Sequence, residues 1–257
     1  MFAIFCLRLA TGMMGALLLF SPRLVNPRFY RTHFLTVLCL TASAVWMVRE
    51  FPGPAWWISF TVMALAFLGA LSWSLEKCPG GKVLIGLTLG SLLLTLAIAG
   101  YARLHNEAAE KPTGPAFSWA YFAADELTSV ALLGTSVTAM LMGHSYLLAP
   151  SMSLTPLLRL LAGLFIALFL RFGLAAAGLW FITRYSLLHS ETDTALWLPL
   201  RWGVGFVAPL ILCWMAWESA KIQSTQSATG ILYVVVVFCF LGELTAHLLF
   251  NHTGYFL

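Results

Sequence analysis

Residues 230–250, GILYVVVVFCFLGELTAHLLF, form the apolar run that decides the fold. A helix of about 20 apolar residues is long enough to cross the roughly 30 Å hydrocarbon core of a bilayer. Glu243 and His247 interrupt this run, and their spacing puts them on one face of the helix, one turn apart. An ionised carboxylate in hydrocarbon costs about 2.5–3.5 kcal/mol on insertion scales, so Glu243 needs a partner, a water-filled cavity or a function.

Apolar runs of this kind recur along the whole chain. Its 257 residues are 60% hydrophobic and only 9% charged, whereas soluble domains carry about 25% charged residues. We therefore predict an all-α, polytopic integral membrane protein with about eight transmembrane helices in a single membrane domain, residues 1–257. The predicted spans are 2–20, 33–49, 55–74, 83–102, 117–144, 156–182, 197–218 and 230–250.

The cysteine pattern disfavours several kinds of metal centre. All five are scattered, mostly inside apolar runs, with no C-x-x-C motif and no cluster of four. Covalent haem, an iron–sulfur cluster and a structural zinc site are therefore not expected on this chain. The N-terminal run lacks a basic n-region and a small-residue cleavage site, so we interpret it as a retained span.

Lysine and arginine are unevenly distributed between the two sides of the membrane. The loops after spans 1, 3, 5 and 7 contain seven of these residues, and the loops on the other side contain four. Because positively charged loops tend to remain in the cytoplasm, this asymmetry predicts that both termini lie outside. We expect a multi-pass protein of a bacterial inner membrane.

The chain also contains a faint internal repeat. LSWSLEKCPGGKVLIG after span 3 resembles MAWESAKIQSTQSATGILYV after span 7, with Trp73 matching Trp217 and Gly81 matching Gly230. The matched segments are four helices apart, which favours tandem four-helix halves at 1–116 and 117–257. The alternative is that short membrane hairpins resemble one another without common origin.

The polar segment QSTQSATG, residues 223–230, precedes the last span. Hydroxyl side chains are favoured immediately before a helix, where they accept hydrogen bonds from its first backbone N–H groups. We therefore expect Ser227 or Thr229 to cap the last helix.

Charged residues lie inside the spans or at their ends, at similar depths in the predicted outer half. Because unpaired charges are costly there, they are expected to converge or to face water. One interpretation is a functional polar cavity, and the other is a set of ion pairs that hold the helices together. Polar contacts in membranes contribute only about 0.6 kcal/mol each on average, which favours the first. The predicted cluster consists of Asp125, Glu126 and Glu243 opposite Arg8, Arg171 and Arg201.

Such a cluster suits the oxidation of a quinol. Quinol oxidation releases two protons, which a buried carboxylate or histidine can accept. Glu243 and the pair Asp125 and Glu126 are candidate proton acceptors, with His247 on the exit path.

Arginines and aromatic side chains would hold the quinone ring in the same site. A guanidinium can bind the quinone oxygens and stabilise developing negative charge, the role assigned to Arg171 and Arg201, with Arg8 nearby. The aromatic residues expected to line the ring are Trp119, Tyr121, Phe122 and Trp202.

The closing helix, LGELTAHLLF, contains Gly242, Glu243 and Leu244 and ends in the bulky aromatic Phe250. With eight spans, both termini outside and two four-helix units, the chain resembles the NrfD, polysulfide reductase and DMSO reductase membrane anchor subunits. The resemblance covers topology along the chain and residues only at this last helix. It implies a subunit that binds quinone without a cofactor of its own. Its expected partner is an iron–sulfur or multihaem cytochrome subunit on the outer face.

Three other classes of protein stay open. A b-type haem cytochrome would use His33 and His144, which are predicted at the inner ends of spans 2 and 5. A proton-coupled transporter is suggested by the interruption of span 7 in PLRWGVGFVAP. The third class is a non-catalytic subunit or assembly factor of a membrane complex.

Overall fold

The computed structural model of the chain describes residues 2–47, 53–75, 80–110, 119–149, 152–184 and 192–253. Within these ranges the regular elements are all helical, so the predicted all-α fold is confirmed. The α-helices are α1 Phe2–Ala16, α2 Pro27–Met47, α3 Gly53–Ser74, α4 Gly81–Glu110, α5 Trp119–Leu148, α6 Thr155–Arg184, α7 Thr192–Trp202, α8 Ala208–Lys221 and α9 Thr225–Thr253. Two short 3₁₀ turns, Leu17–Leu19 and Pro22–Leu24, lie between α1 and α2.

Seven helical segments of the described chain are long and apolar enough to cross a membrane. The chain is therefore a multi-pass membrane protein, as its composition predicts. The segments are Phe2–Leu19, Ala55–Ser74, Gly81–Ala102, Ala120–Leu148, Thr155–Phe181, Trp197–Lys221 and Thr225–Phe250.

The remaining long helix, α2, has 21 residues and would extend about 32 Å at 1.5 Å per residue. It begins at Pro27 rather than at the predicted residue 33, because its start is fixed by local signals. The Asn26 side-chain oxygen accepts a hydrogen bond from the Arg28 backbone N–H at 2.9 Å, and Pro27 occupies the first helical position. Arg28 and Arg31 make these first turns too polar to be recognised in an apolar window.

The seventh span consists of α7, a π-helical turn at Gly203–Val207, and α8. The Ala208 backbone N–H donates to the Gly203 carbonyl five residues earlier, and the next residue, Pro209, has no N–H to donate. The interruption predicted at PLRWGVGFVAP is therefore a widened turn within a continuous helical segment.

The helices form two compact units, Met1–Glu110 and Lys111–Leu257. In the N-terminal unit, α1 and α3 each pack against both α2 and α4. In the C-terminal unit, α5 and α8 each pack against both α6 and α9. Each unit thus closes a ring of four helical segments in the same pairing order. The relation of the units as tandem repeats stays a prediction.

Large apolar side chains are exposed along the helices of both units. Among them, Trp57 is 69% exposed, Phe169 is 61% exposed and Trp214 is 60% exposed. In water such surfaces would be unfavourable, but lipid acyl chains are as apolar as the side chains themselves. The exposed residues are therefore suited to face lipid.

The prediction that Ser227 or Thr229 caps the last helix is wrong. Helix α9 already begins at Thr225, so both residues lie inside it. The Thr229 hydroxyl donates to the Thr225 carbonyl at 2.7 Å, a bond within the helix itself. The turn that precedes α9 contains Gln223, whose φ is 62°. The turn therefore lies at the start of the polar segment, and the residues after it are already helical.

Candidate functional site

Helix α9 meets the π-helical turn of the seventh span at two glycines, Gly242 and Gly205. A Cβ atom added to Gly242 would lie 2.7 Å from the Gly205 Cα, and one added to Gly205 would lie 3.0 Å from the Gly242 Cα. The two backbones are therefore in direct contact, which only glycine allows at these positions. This contact brings Arg201, just before the π turn, close to Glu243, just after Gly242.

Glu243 lies at the centre of a buried ion cluster. Its carboxylate accepts two hydrogen bonds from Arg171, Nε to Oε1 at 2.9 Å and Nη2 to Oε2 at 3.1 Å. The Ser129 hydroxyl donates to Oε2 at 2.5 Å, and Arg201 Nη1 donates to Oε1 at 3.5 Å. Glu243 is 0% exposed, so protein groups have replaced the water that would normally solvate its charge.

Arg171 joins three helices through this cluster. Besides its two bonds to Glu243 on α9, its Nη1 atom forms an ion pair with the Asp125 carboxylate on α5. The same nitrogen donates to the Asp125 backbone carbonyl at 3.3 Å and to the Thr128 hydroxyl at 3.5 Å. A planar guanidinium can serve two carboxylates in this way, whereas a lysine ammonium could not reproduce the fork.

The charges of the four residues joined by these ion pairs balance. Asp125 and Glu243 supply two negative charges, and Arg171 and Arg201 supply two positive charges; all four residues are buried. Removing one member would leave a buried charge uncompensated, which typically destabilises a protein by about 3–5 kcal/mol. The cluster therefore holds helices together and also places ionisable groups inside the membrane protein.

Aromatic rings flank the Arg201 side of the cluster. The Arg201 guanidinium lies 4.3 Å from the centroid of the Phe206 ring, a cation–π contact. Phe172, Trp202 and Phe206 contact one another with centroids 5.2–5.6 Å apart. The buried Trp202 Nε1 atom has no hydrogen-bond partner among the residues that the structure describes. An indole donor therefore lies within an aromatic group next to an arginine.

The structure brings together four of the predicted charged residues, Asp125, Glu243, Arg171 and Arg201. Glu126 and His247 are also buried, on α5 and α9. Arg8 is buried on α1 of the N-terminal unit, and its membership of the cluster stays a prediction.

The other candidate residues have different environments. Tyr121 donates its hydroxyl to the Leu174 carbonyl at 2.9 Å, and Phe122 is buried. The Trp119 side chain lies outside the described part of the structure. His33 is buried in the N-terminal unit, whereas His144 is exposed in the C-terminal unit. Haem ligation by these two histidines stays a prediction.

Sequence reasoning missed Ser129 and the glycine contact. Ser129 follows Asp125 by one helical turn, so helical spacing alone places it on the same face of α5. The spacing indicates the face of α5 on which Ser129 lies. It does not show whether the hydroxyl bonds a carbonyl of its own helix, as buried serines usually do, or a group on another helix. Which glycines of α9 and the seventh span touch depends on how the helices pack.

We expect Ser129→Ala to destabilise the protein by about 1.5–3 kcal/mol, the usual contribution of a hydrogen bond to a charged group. The change removes the donor to Glu243 Oε2 and leaves the ion pairs in place. Thermal unfolding in detergent would measure it. Ser145→Ala is the matched control on α5, because that hydroxyl donates to the Leu141 carbonyl of its own helix. Equal destabilisation by both changes would argue that Ser129 does not support Glu243.

The fold and the site together define a multi-pass helical membrane protein with a buried ion cluster at the junction of four helical segments. No protein-family model matches the chain, and neither a curated protein nor a solved structure matches it. The resemblance to respiratory anchor subunits therefore stays a prediction, and the function has to be argued from the site.

Proposed function

We propose that the chain is the membrane anchor subunit of a respiratory electron-transfer complex and binds quinol at the Glu243 ion cluster. The observation that carries this proposal is the position of Glu243, a fully buried carboxylate next to two arginines and an aromatic group. Proton acceptor, anion-stabilising group and apolar ring contacts are the three features that quinol oxidation needs. The partner would be an iron–sulfur or multihaem cytochrome subunit on the outer face of a bacterial inner membrane.

The proton chemistry follows from the hydrogen bonds of the carboxylates. Oxidation of a quinol to a quinone releases two protons and two electrons. Glu243 accepts one proton and Asp125 accepts the other, because Arg171 between them is already protonated and can accept none. The electrons pass to the redox centre of the partner subunit, so the step is balanced without a cofactor on this chain.

Protonation of Glu243 also changes what its arginines do. A neutral carboxyl group holds a guanidinium less strongly than a carboxylate does, so the positive charges that Arg171 and Arg201 already carry become less compensated. That charge would stabilise the oxyanion formed as the quinol loses its proton. The acceptor and the stabilising groups are therefore coupled in one cluster.

The aromatic group offers contacts for the ring and one directional bond. Phe172 and Phe206 supply apolar ring faces, and Trp202 Nε1 is a donor that a quinone carbonyl would satisfy. His247 lies one turn beyond Glu243 toward the end of α9. It would receive protons from the cluster and pass them toward the outer surface, with Glu126 as a further acceptor.

The π-helical turn favours a second candidate function, a proton-coupled transporter. Transport sites are commonly formed where a membrane helix is interrupted, and π turns occur frequently at functional sites. The π turn at Gly203–Val207 is a local irregularity of the seventh span, close to Glu243. On this reading the Glu243 carboxylate would bind and release a proton as the helix changes conformation.

Purification of the tagged chain from its native host in mild detergent would test the proposal. We expect an iron–sulfur or multihaem subunit to co-purify, identified by mass spectrometry, and its redox centre to be reduced when quinol is added. A chain that purifies alone, under conditions that preserve other respiratory complexes, would contradict the proposal and favour transport. A b-type band in its reduced-minus-oxidised spectrum would instead favour the haem cytochrome.

A further inference from the structure

We propose that the N-terminal unit holds a second ligand site, where Tyr30, His33 and Trp73 bind the hydroxyl group of a quinol-class, lipid-soluble ring. Their side chains are buried, at 0%, 0% and 9% exposed. Tyr30 Oη, His33 Nε2 and Trp73 Nε1 have no hydrogen-bond partner in the described chain. Buried polar atoms in native proteins are nearly always hydrogen-bonded, so a partner from outside the chain is indicated. This site goes beyond the function proposed for the Glu243 cluster.

Ring contacts connect the three side chains through Phe29, whose ring contacts both His33 and Tyr30. The Tyr30 ring is stacked on the Trp73 ring, with centroids 4.4 Å apart and an interplanar angle of 18°. His33 follows Tyr30 by one turn on α2, and its ring contacts Phe29 at 4.2 Å. Gly81, at the start of α4, lies so close to the Trp73 ring that a Cβ atom there would be 2.5 Å from it. The site is thus built from α2, α3 and α4.

The hydrogen bond of His33 determines which of its nitrogens can bind a ligand. His33 Nδ1 lies 2.9 Å from the Phe29 backbone carbonyl. A carbonyl oxygen can only accept, so Nδ1 carries the proton and donates. In the neutral imidazole Nε2 then has a lone pair, and it is an acceptor without a donor. The opposite requirement holds for Trp73 Nε1, which can only donate.

These requirements define the chemistry of the ligand. A hydroxyl can donate to His33 Nε2 and can also accept from Trp73 Nε1, and Tyr30 Oη is able to take either role. The site lies near the start of α2, the end of α3 and the start of α4, and a ligand that enters it from the bilayer has to be lipid-soluble. The surrounding rings of Phe29, Tyr30 and Trp73 suit a flat aromatic ring that carries the hydroxyl.

Photolabelling would test the site in the full chain, reconstituted in lipid nanodiscs. The probe is a hydroquinone with a short alkyl tail that carries a diazirine. We expect labelled peptides from α2 or α3, with labelling suppressed by excess unlabelled hydroquinone. The dimethyl ether of the same hydroquinone should not compete, because it can accept hydrogen bonds but cannot donate to His33 Nε2.

Substitutions test whether the labelling depends on the proposed site. His33→Phe should lower it about tenfold, as expected for a lost hydrogen bond, and Tyr30→Phe serves the same purpose if His33→Phe does not fold. Thr41→Val is the matched control on α2, because that hydroxyl bonds the Val37 carbonyl. Absence of labelling in the wild type, or unchanged labelling in both variants, would overturn the site and leave water as its occupant. Labelling near Glu243 on α9 is scored separately, so failure of the proposed function would be recognised independently.

Discussion

Glu243→Gln should lower quinol-dependent electron transfer at least about 100-fold, the lower range for the loss of a general base. Glutamine has nearly the same shape and can still accept a hydrogen bond from Ser129, but its amide cannot accept a proton. The measurement is the rate at which added quinol reduces the partner's redox centre in the purified complex. The amount of assembled complex has to be recorded in the same preparation.

Assembly matters because the substitution also changes the charge balance. With Glu243 neutral, Arg171 and Arg201 lose the carboxylate that both of them contact, and an uncompensated buried charge typically costs about 3–5 kcal/mol. Glu218→Gln is the matched control: that glutamate pairs with Lys221 at 3.0 Å, but both side chains are about half exposed. Exposed pairs contribute about 0–1 kcal/mol, so turnover and assembly should be unchanged in the control. Wild-type rates of quinol turnover in the Glu243→Gln variant would contradict the role of Glu243 as a proton acceptor.

Gly242→Ala should be the most disruptive small substitution in α9. The added Cβ atom would lie 2.7 Å from the Gly205 Cα, and both atoms belong to backbones, so no side-chain rotation relieves the contact. Overpacking of this kind typically costs about 1–3 kcal/mol and sometimes more. We expect a lower Tm in detergent, together with weaker quinol-dependent turnover as Arg201 and Glu243 separate.

Gly230→Ala is the control for this prediction. Gly230 lies on the same helix, and a Cβ atom there would meet nothing within 4 Å. Alanine favours a helix over glycine by about 1 kcal/mol, so this change should be neutral or stabilising. If both alanine variants unfold at the same temperature, the close contact between α9 and the π turn does not contribute to stability, which contradicts the prediction.

Much of the fold was accessible from sequence because the bilayer imposes simple requirements. Helix length and apolar composition predicted the crossing segments. The cost of charge in hydrocarbon predicted that Asp125, Arg171, Arg201 and Glu243 would meet. Neither argument needs knowledge of which helix faces which neighbour. The predicted span at 33–49 covers only part of α2, because its capping residue Asn26 and Pro27 lie outside the apolar window.

The details of the site depend on helix packing, which periodicity does not determine. The contact of Gly242 with Gly205 requires that α9 cross the seventh span at its π turn. Ser129 reaches Glu243 only because α5 and α9 are neighbours in the C-terminal unit. The caps of α9 were predicted incorrectly because several hydroxyl residues in the segment are equally suited to that position.

The most direct test combines Glu243→Gln with Arg201→Gln. The pair Asp125 and Arg171 remains, so the buried charges balance again and the complex should assemble at close to the wild-type level. If Glu243 accepts a proton from quinol, the double variant assembles but still fails to reduce the partner's redox centre. Recovery of quinol-dependent reduction together with assembly would contradict the account, because the cluster would then only hold the helices together.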